Sequence, residues 1–403
     1  MKKEKQPLVS IIILAYNNYK YIFDALNSVL IQDYPNIEIV INNDGSQDFN
    51  ESEIILFLNK SRNSNITHVF IKNQEHNLGT VRCFNYAIKQ STGSFLIFLA
   101  ADDALAHPSV VSDYVNYLQN IGENAYISNS QVQMYDEFLQ KPMGLAFLEE
   151  DIDLFKRMTP HELYREMCVR GSFFPSTCCI RRELFNNIDF VCEDYRLIED
   201  APLYLSIFRN GIKVYYLDKI TLKHRHGGLV HGNKNNSSES LEYYYKDELL
   251  IYKKEILPFS TILGTKANKV VKRRFSELEY RNEAMFQYKY YSLHQKFSFI
   301  YKHINILLPK AVEKTIRKII NISLIPNLKR NIAFLAVVSL LLSNYTNINI
   351  VVSTETNLLY KKSLIYFALL LFLIEIFFTI LSIARLLYKQ VKHIVYKNNG
   401  LQF

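Results

Sequence analysis

Largely apolar runs and amphipathic segments alternate along the first hundred residues. The apolar runs have the length and composition of buried strands, and they are Val9–Leu14, Ile37–Ile41, Ile66–Ile71 and Phe95–Leu99. The segments between them carry apolar residues at helical spacing and are Tyr21–Ile31, Glu53–Asn59 and Thr80–Gln90. This alternation predicts a doubly wound α/β sheet.

Polar residues follow the predicted strands directly. Asp102 and Asp103 come two residues after the apolar run Phe95–Leu99, and Asn42–Ser46 follows the second run. In open α/β sheets, ligands bind at the carboxyl ends of the strands. Adjacent carboxylates suit a hard divalent cation, which in turn suits a diphosphate. The alternative is that Asp102 and Asp103 make a turn or cap the next helix.

The pattern after residue 100 predicts a more mixed arrangement. Helices are expected over Val110–Asn120, Thr159–Met167 and Ala201–Asn210, and short strands over Ala125–Ser128, Gln131–Tyr135 and Val214–Leu217. Lys223–Gly228 is expected in a loop that continues to about Ser240. Long helices rich in Tyr and Lys are then expected over Leu241–Ile256 and Asn268–Phe299.

The C-terminal part carries positive charge and long apolar segments. The net charge is +8, and Tyr301–Arg330 holds seven basic residues and one acid. A basic amphipathic helix over Lys310–Leu324 fits a membrane interface, with packing on a neighbouring helix as the alternative. Ser363–Ala384 is long enough to cross a bilayer and has one charge, Glu375. Flanking Lys and Arg favour an apolar hairpin with both ends cytoplasmic. Lys361 and Lys362 in the connector argue against a full crossing, so a re-entrant or interfacial pair is the alternative.

The five cysteines show no paired metal-ligand spacing, their number is odd, and the adjacent Cys178 and Cys179 rarely bridge each other. Reduced thiols in the cytosol are therefore expected. The chain has no Gly-x-Gly-x-x-Gly and no Gly-x4-Gly-Lys-Ser/Thr. A Rossmann dehydrogenase and a P-loop ATPase are therefore not indicated.

Four motifs occur in a characteristic order along the first half of the chain. They are Pro7–Ile13 with Tyr16 and Asn17, Asn43–Ser46, Asn77-x-Gly79 with Asn85 and Ala100–Asp103, and Glu199–Asp200. In this order and spacing they resemble the family 2 glycosyltransferases. That resemblance covers residues 7–235 and implies the GT-A fold, a Rossmann-like mixed α/β sheet flanked by helices.

The resemblance implies roles for individual residues. It implies nucleotide binding by Leu14, Ala15, Tyr16, Asn17, Asp44, Asn77, Gly79, Arg82 and Asp102. Asp103 and His226 match metal ligands for Mn²⁺ or Mg²⁺, with His224 as the other candidate histidine. Asp200 matches the catalytic base, with Glu199 as the second choice. The simpler alternatives are an Asp-Gly turn at Asp44 and a helix cap at Asp200.

Two positions depart from the family pattern. Asn43 and Ala100 stand where the family usually has acids. The first departure bears on recognition of the nucleobase, and the second leaves Asp103 as the main carboxylate for the metal. A catalytically silent subunit that binds nucleotide sugars in a polysaccharide assembly complex therefore stays open as a second function.

The sequence as a whole predicts a metal-dependent, inverting glycosyltransferase of the bacterial cell membrane with its catalytic domain facing the cytoplasm. The expected partners are a nucleotide-sugar donor, most simply a UDP-sugar, and a lipid-linked or growing surface polysaccharide such as capsule or O-antigen. No nucleic acid is expected, although the basic block alone would also suit one. The expected organisation is a catalytic domain (1–235), a helical region (236–330) and a membrane-associated hairpin with a basic tail (331–403).

Overall fold

A computed structural model describes residues 6–61, 64–171, 177–226, 238–303 and 306. Within them, nine strands form one mixed sheet. The strands are β1 (Val9–Ala15), β2 (Ile37–Asn43), β3 (Ile66–Asn73), β4 (Phe95–Ala100), β5 (Ala104–Leu105), β6 (Ile127–Tyr135), β7 (Pro142–Leu145), β8 (Cys178–Arg181) and β9 (Val214–Arg225). The order across the sheet is β3-β2-β1-β4-β8-β6-β9-β5, and β7 pairs with β6. The predicted strand–helix alternation of the first hundred residues is confirmed.

The helices flank this sheet and then continue beyond it. They are α1 (Ile22–Leu30), α2 (Glu51–Ser61), α3 (Thr80–Gln90), α4 (Val110–Ile121), α5 (Glu149–Arg157), α6 (Pro160–Arg170), α7 (Asp200–Arg209), α8 (Ser238–Ile251), α9 (Gly264–Asn282) and α10 (Leu293–Lys302). The sequence pattern indicates neither α5 nor the strands β5, β7 and β8.

The parallel strands β3, β2, β1 and β4 form the most buried part of the sheet. Ile11 and Ile13 face one apolar core, which includes residues of α1 and α4. Ile12, between them, faces the second core, which includes residues of α3, α6 and α7. Helices on both faces explain why these strands are apolar without alternation.

The sheet becomes mixed beyond β4, because β8 pairs antiparallel with both β4 and β6. The polar residues Asn129 and Ser130 suggest two short strands, but β6 is continuous through them. Both side chains are buried and hydrogen-bonded, Asn129 to the Tyr204 hydroxyl at 2.7 Å and Ser130 to the Tyr114 hydroxyl at 2.6 Å. Side-chain partners on neighbouring helices therefore allow the strand to carry polar residues through the core.

The expectation of a loop at residues 223–225 is wrong, because β9 runs from Val214 to Arg225. It pairs with β6 along most of its length and with β5 near its end. The single helix expected over Asn268–Phe299 is also wrong: α9 continues through a π-helical turn and a 3-10 turn to Tyr290, and a separate helix, α10, begins at Leu293. Ser292 and Gln295 exchange hydrogen bonds in a capping box that starts the second helix.

The helical region after residue 238 packs against the α/β core. Ile251, Ile256, Leu263 and Val271 are buried in the same apolar cluster as residues of α6 and α7. Tyr164 of α6 donates a hydrogen bond to the Glu255 carbonyl at 2.6 Å, and Arg209 of α7 pairs with the Glu255 carboxylate at 2.8 Å. The division at residues 235 and 236 stays a prediction.

The basic helix (Lys310–Leu324) and the apolar hairpin (331–403) that the sequence predicts lie outside the described residues. Among the helices that the structure does describe, none is both long and apolar enough to cross a membrane.

A buried carboxylate joins β1, β2 and the loop before β4 by hydrogen bonds at the amino-terminal edge of the sheet. Glu38 of β2 is 1% exposed and accepts hydrogen bonds from the Ser10 hydroxyl, the Thr92 N–H and hydroxyl, and the Gly93 N–H. Burial opposes ionisation, but these hydrogen bonds outweigh it and lower the pKa of Glu38. A Cβ atom at Gly93 would lie 2.4 Å from the Ser10 oxygen, so this junction accepts only glycine.

We expect Glu38→Gln to lower the free energy of unfolding by about 1–3 kcal/mol at pH 7, because an amide replaces an ionised acceptor of several hydrogen bonds. The lowered pKa makes this stabilisation complete above the ordinary value of 4.5 and lost as the pH falls through the folded-state pKa. Urea unfolding from pH 7 to pH 3 measures both effects. Glu123→Gln, in an exposed position, is the control and should change stability by less than about 0.5 kcal/mol. Equal curves for the two variants would contradict the assignment.

Candidate functional site

The parallel strands β1, β2 and β4 end at the same edge of the sheet. Leu14 of β1 lies opposite Asn42 of β2 and Ala100 of β4. The Ala15 carbonyl accepts from the Asp44 N–H at 2.8 Å, and the Leu14 carbonyl accepts from the Ala101 N–H at 2.9 Å. The segments that follow the three strands are therefore brought together at this edge.

The segment after β1 contributes backbone and polar side chains to this edge. The Asn17 N–H donates to the Ser46 hydroxyl at 2.8 Å, with Asn17 in the left-handed region at φ 52°. The Asn18 amide donates to the Asp102 carboxylate at 3.2 Å. Tyr16 is 49% exposed, so its ring is available to a ligand rather than packed in the core. The sequence reasoning missed Asn18, although it directly follows the predicted residues.

Asp44 organises the loop between β3 and α3. Its carboxylate is 5% exposed and accepts from the N–H groups of Leu78 at 2.6 Å and Gly79 at 3.0 Å. It also accepts from the Asn77 side-chain amide at 2.9 Å. The structure thus brings three predicted residues, Asp44, Asn77 and Gly79, into direct contact. Arg82, also predicted, lies on an exposed face of α3.

Gly79 has no room for a side chain. Its φ is +93°, and a Cβ atom would lie 2.5 Å from the Arg196 carbonyl oxygen. The Arg196 side chain donates to the Asn77 carboxamide oxygen at 2.6 Å. The loop at 77–79 is therefore held on one side by Asp44 and on the other by the turn that contains Arg196.

The pair Asp102 and Asp103 lies where β4 meets β9. Asp103 is 4% exposed and accepts from the Arg225 N–H at 3.0 Å, while its other oxygen lies 3.0 Å from His224 Nδ1. Burial disfavours protonated His224, but the contact with Asp103 outweighs it and raises the His224 pKa. Half-buried Asp102 has a raised pKa because of burial and the neighbouring charge of Asp103.

The histidine in contact with Asp103 is thus His224, whereas the sequence analysis preferred His226. His226 is exposed in the turn after β9, and its N–H donates to the Tyr135 carbonyl at 2.9 Å. The difference follows from β9 extending to Arg225, since strand pairing fixes which side chain points at the carboxylates. No alternation of apolar residues marks 223–225 as strand in the sequence.

The buried Arg225 side chain binds the segment that contains Asp102 and Asp103. It is 3% exposed, donates to the Asp102 carbonyl at 2.7 Å and pairs with Asp24 of α1 at 2.7 Å. Its guanidinium also lies over the Tyr21 ring at 3.9 Å. Sequence reasoning missed this residue, because its partners lie up to 201 positions away.

The carboxylates of Asp102 and Asp103 and the imidazole of His224 are ligand types that suit a divalent metal. In the part of the chain that the structure describes, no three His, Cys, Asp or Glu side chains could hold an ion alone. Mg²⁺ sites commonly use one or two carboxylates and take further oxygens from substrate phosphates. A histidine oriented by a carboxylate is typical of metal ligands.

The second acidic pair lies at the start of α7. Asp200 is the first residue of the helix, and its carboxylate accepts from the Ala201 N–H at 2.6 Å. Glu199 precedes it as the N-terminal cap and makes no side-chain capping bond. Burial, together with the charge of Asp200, raises the pKa of Glu199 to about 8, and burial raises that of Asp200. The pair is therefore harder to ionise than two exposed carboxyl groups, which makes it a candidate for proton transfer.

The chain matches a known family and known proteins over part of its length. Residues 10–189 match the family model described as Glycosyl transferase family 2. An uncharacterized glycosyltransferase of Rickettsia bellii is 29% identical over 239 residues, which are 59% of this chain and 32% of that protein. This chain thus covers about a third of the length of that relative.

Two further proteins are similar to this chain. The UDP-Glc:alpha-D-GlcNAc-diphosphoundecaprenol beta-1,3-glucosyltransferase WfaP of Escherichia coli is 31% identical over 228 residues, or 56% of this chain and 81% of that protein. The crystal structure of S. aureus TarS 1–349 in complex with UDP-GlcNAc is 20% identical, with a TM-score of 0.47, over 73% of this chain and 79% of that chain.

We expect Gly79→Ala to destabilise the protein by about 1–3 kcal/mol more than Gly122→Ala. Both glycines have a positive φ, but a Cβ atom meets the Arg196 backbone at Gly79 and nothing within 4 Å at Gly122. The comparison therefore isolates the close approach from the backbone strain. Thermal unfolding of the two variants measures the difference. Equal losses would show that the 77–79 loop can move away from Arg196.

Proposed function

Because this chain belongs to glycosyl transferase family 2, we propose that it transfers a sugar from a nucleotide-sugar donor to an acceptor hydroxyl with inversion at the anomeric carbon. The observation that carries the proposal is the contact of Arg196 with Asn77. Arg196 lies three residues before Glu199, and Asn77 contacts Asp44. These contacts support the proposal that the acidic pair at α7 and the nucleotide-binding motifs act in one site.

The donor lies, in this proposal, along the edge formed by the ends of β1, β2 and β4. Leu14, Ala15, Tyr16 and Asn17 line the nucleotide together with the Asp44 segment. Because three hydrogen bonds already engage the Asp44 carboxylate, its main role here is to shape the 77–79 loop that faces the donor. Exposed Tyr16 offers a ring on which a base can stack.

Mn²⁺ or Mg²⁺, held by Asp102, Asp103 and a histidine, would neutralise the departing nucleoside diphosphate. The contact between His224 and Asp103 supports His224 as that histidine in place of His226. Arg225 and Asn18 orient the two carboxylates through the Asp102 carbonyl and side chain.

Asp200 acts as the general base in this proposal. It takes the proton from the acceptor hydroxyl while the acceptor oxygen bonds to the anomeric carbon. The bond from that carbon to the diphosphate oxygen breaks, and the nucleoside diphosphate leaves with the electron pair. Burial raises the pKa of both carboxyl groups, and a proton on Glu199 would limit the negative charge beside Asp200.

We infer the classes of donor and acceptor by analogy with the E. coli relative. The name of that protein gives UDP-Glc as donor and a diphosphoundecaprenol-linked GlcNAc as acceptor. We extend to this chain a UDP-sugar as donor and a lipid-linked saccharide as acceptor. Such an acceptor would place the enzyme at the cytoplasmic face of the membrane, where the basic and apolar C-terminal segments are predicted to bind.

A donor screen tests this function. The full-length protein is incubated with UDP- and GDP-sugars, with Mn²⁺, and with or without GlcNAc-diphosphoundecaprenol, and nucleoside diphosphate release is measured. We expect release from at least one UDP-sugar that rises when the acceptor is added. Binding of UDP without release from any donor would instead identify a catalytically silent nucleotide-sugar-binding subunit.

We expect Asp200→Asn to lower kcat by about 10²–10⁴-fold while UDP affinity stays unchanged, because the amide cannot accept a proton. Glu199→Gln should cost less. It should also remove the titration near pH 8 from the pH–rate profile, since that titration belongs to the acidic pair. Steady-state kinetics from pH 5 to pH 9 and UDP titration calorimetry provide both measurements. The base would be Glu199 if its variant were the inactive one.

We expect chelation to abolish transfer and Mn²⁺ or Mg²⁺ to restore it. Asp103→Asn should weaken Mn²⁺ binding about 10–100-fold, measured in the presence of UDP from the electron paramagnetic resonance signal of free Mn²⁺. Asp218→Asn is a matched control on the same strand as His224, because its carboxylate pairs with Lys156 at the surface. An Mn²⁺ affinity that Asp103→Asn leaves unchanged would contradict the assigned metal site.

A further inference from the structure

One carboxylate of the helical region reaches into the turn before the proposed base. Asp247 of α8 accepts from the Arg196 N–H at 3.0 and 2.9 Å through its two oxygens. One of these oxygens also accepts from the N–H groups of Leu197 at 2.6 Å and Ile198 at 3.0 Å. Three successive backbone donors thus converge on one side chain.

These donors lie in a turn and have no strand or helix partner of their own. Asp247 is 3% exposed, so water does not substitute for it at this position. A buried N–H group without an acceptor is costly, and a carboxylate is the strongest acceptor a side chain provides. The conformation of the Arg196–Ile198 turn therefore depends on a residue about fifty positions further along the chain.

The same turn also contacts the nucleotide-binding loop. The Arg196 side chain donates to the Asn77 carboxamide and carbonyl oxygens at 2.6 and 3.3 Å. The Arg196 carbonyl accepts from the Val81 N–H at 3.3 Å. Tyr243, one helical turn before Asp247, stacks its ring under the Arg196 guanidinium at 4.5 Å. Helix α8 therefore fixes both the backbone and the side chain of Arg196.

We propose that Asp247 is a positioning residue, which sets the distance between the Glu199–Asp200 pair and the donor-binding loop at Asn77–Gly79. The inference rests on the proposed function, since it assumes that this acidic pair supplies the base. It extends the catalytic site to a helix that lies beyond the residues matched by the family model, which end at 189.

A purely structural role for Asp247 makes different predictions. It would lower stability and the amount of active enzyme, while the kinetics of the folded fraction stayed normal. A positioning role changes the geometry of the reacting groups, and a misplacement of about 1 Å costs on the order of 100-fold in rate. The charge of Asp247 also contributes to the raised Glu199 pKa, together with burial and Asp200, so its removal moves the pH profile.

The test compares Asp247→Ala, Asp247→Asn and the control Glu248→Gln in the full-length protein. Glu248 is the next residue of α8 and is half-buried, and it interacts electrostatically with Arg281. We expect Asp247→Ala to lower kcat about 10–100-fold, with a smaller change in donor KM. Asp247→Asn should recover part of kcat, because its amide oxygen still accepts. Both variants should move the pH step near 8 to lower pH, and Glu248→Gln should match the wild type.

Hydrogen exchange of the 196–198 amides gives a measurement that does not depend on activity. We expect these amides to be protected in the wild type and in Glu248→Gln, and to exchange faster in Asp247→Ala. If Asp247→Ala does not fold, Asp247→Asn is judged on kcat and the pH step.

A folded Asp247 variant with wild-type kcat and pH profile would overturn the proposal, as would unprotected amides in the wild type. If the wild type transfers no sugar, the proposed function fails, while the exchange data still decide whether Asp247 holds the turn.

Discussion

Backbone N–H groups at strand ends and in the loops between strands need acceptors beyond the sheet ladder, and this constraint shapes the described part of the chain. Four carboxylates that are at most 5% exposed supply the missing acceptors, and they are Glu38, Asp44, Asp103 and Asp247. Each accepts from at least one backbone N–H of a segment distant in sequence. A buried ion of this kind is tolerated only when its oxygens are well hydrogen-bonded, and here they are.

Three of these carboxylates act at the end of the sheet where the site lies. Asp44 holds the 77–79 loop, Asp103 holds the end of β9, and Asp247 holds the turn before α7. Contacts within the protein thereby order these segments. In the proposed function, preorganisation of this kind would lower the cost of placing donor, cation and acceptor in reacting geometry. Glu38 performs the same task at the opposite edge, away from the site.

The helical region after residue 238 shares its packing with the α/β core. Its apolar residues share a core with α6 and α7, and Glu255 and Asp247 bond to groups in and beside those helices. Removal of this region would expose apolar surface and leave the Arg196–Ile198 turn without its acceptor. The chain therefore combines a family α/β core with a C-terminal extension that stabilises the segment carrying the proposed base.

The local pattern of the sequence determined the elements of the first half and the residues of the motifs. Buried parallel strands and amphipathic helices can be recognised from short stretches of sequence, so the observed bounds of β1 to β4 and α3 lie close to the predicted ones. Asp44, Asn77 and Gly79 were also identified from the motifs, and they meet in space. Tertiary structure alone decided that β9 reaches Arg225, and hence that His224 contacts Asp103 across 121 positions. It also decided that Asp247 meets the Arg196 turn, because hydrogen bonds between distant segments depend on how helices pack on the sheet, which no local pattern records.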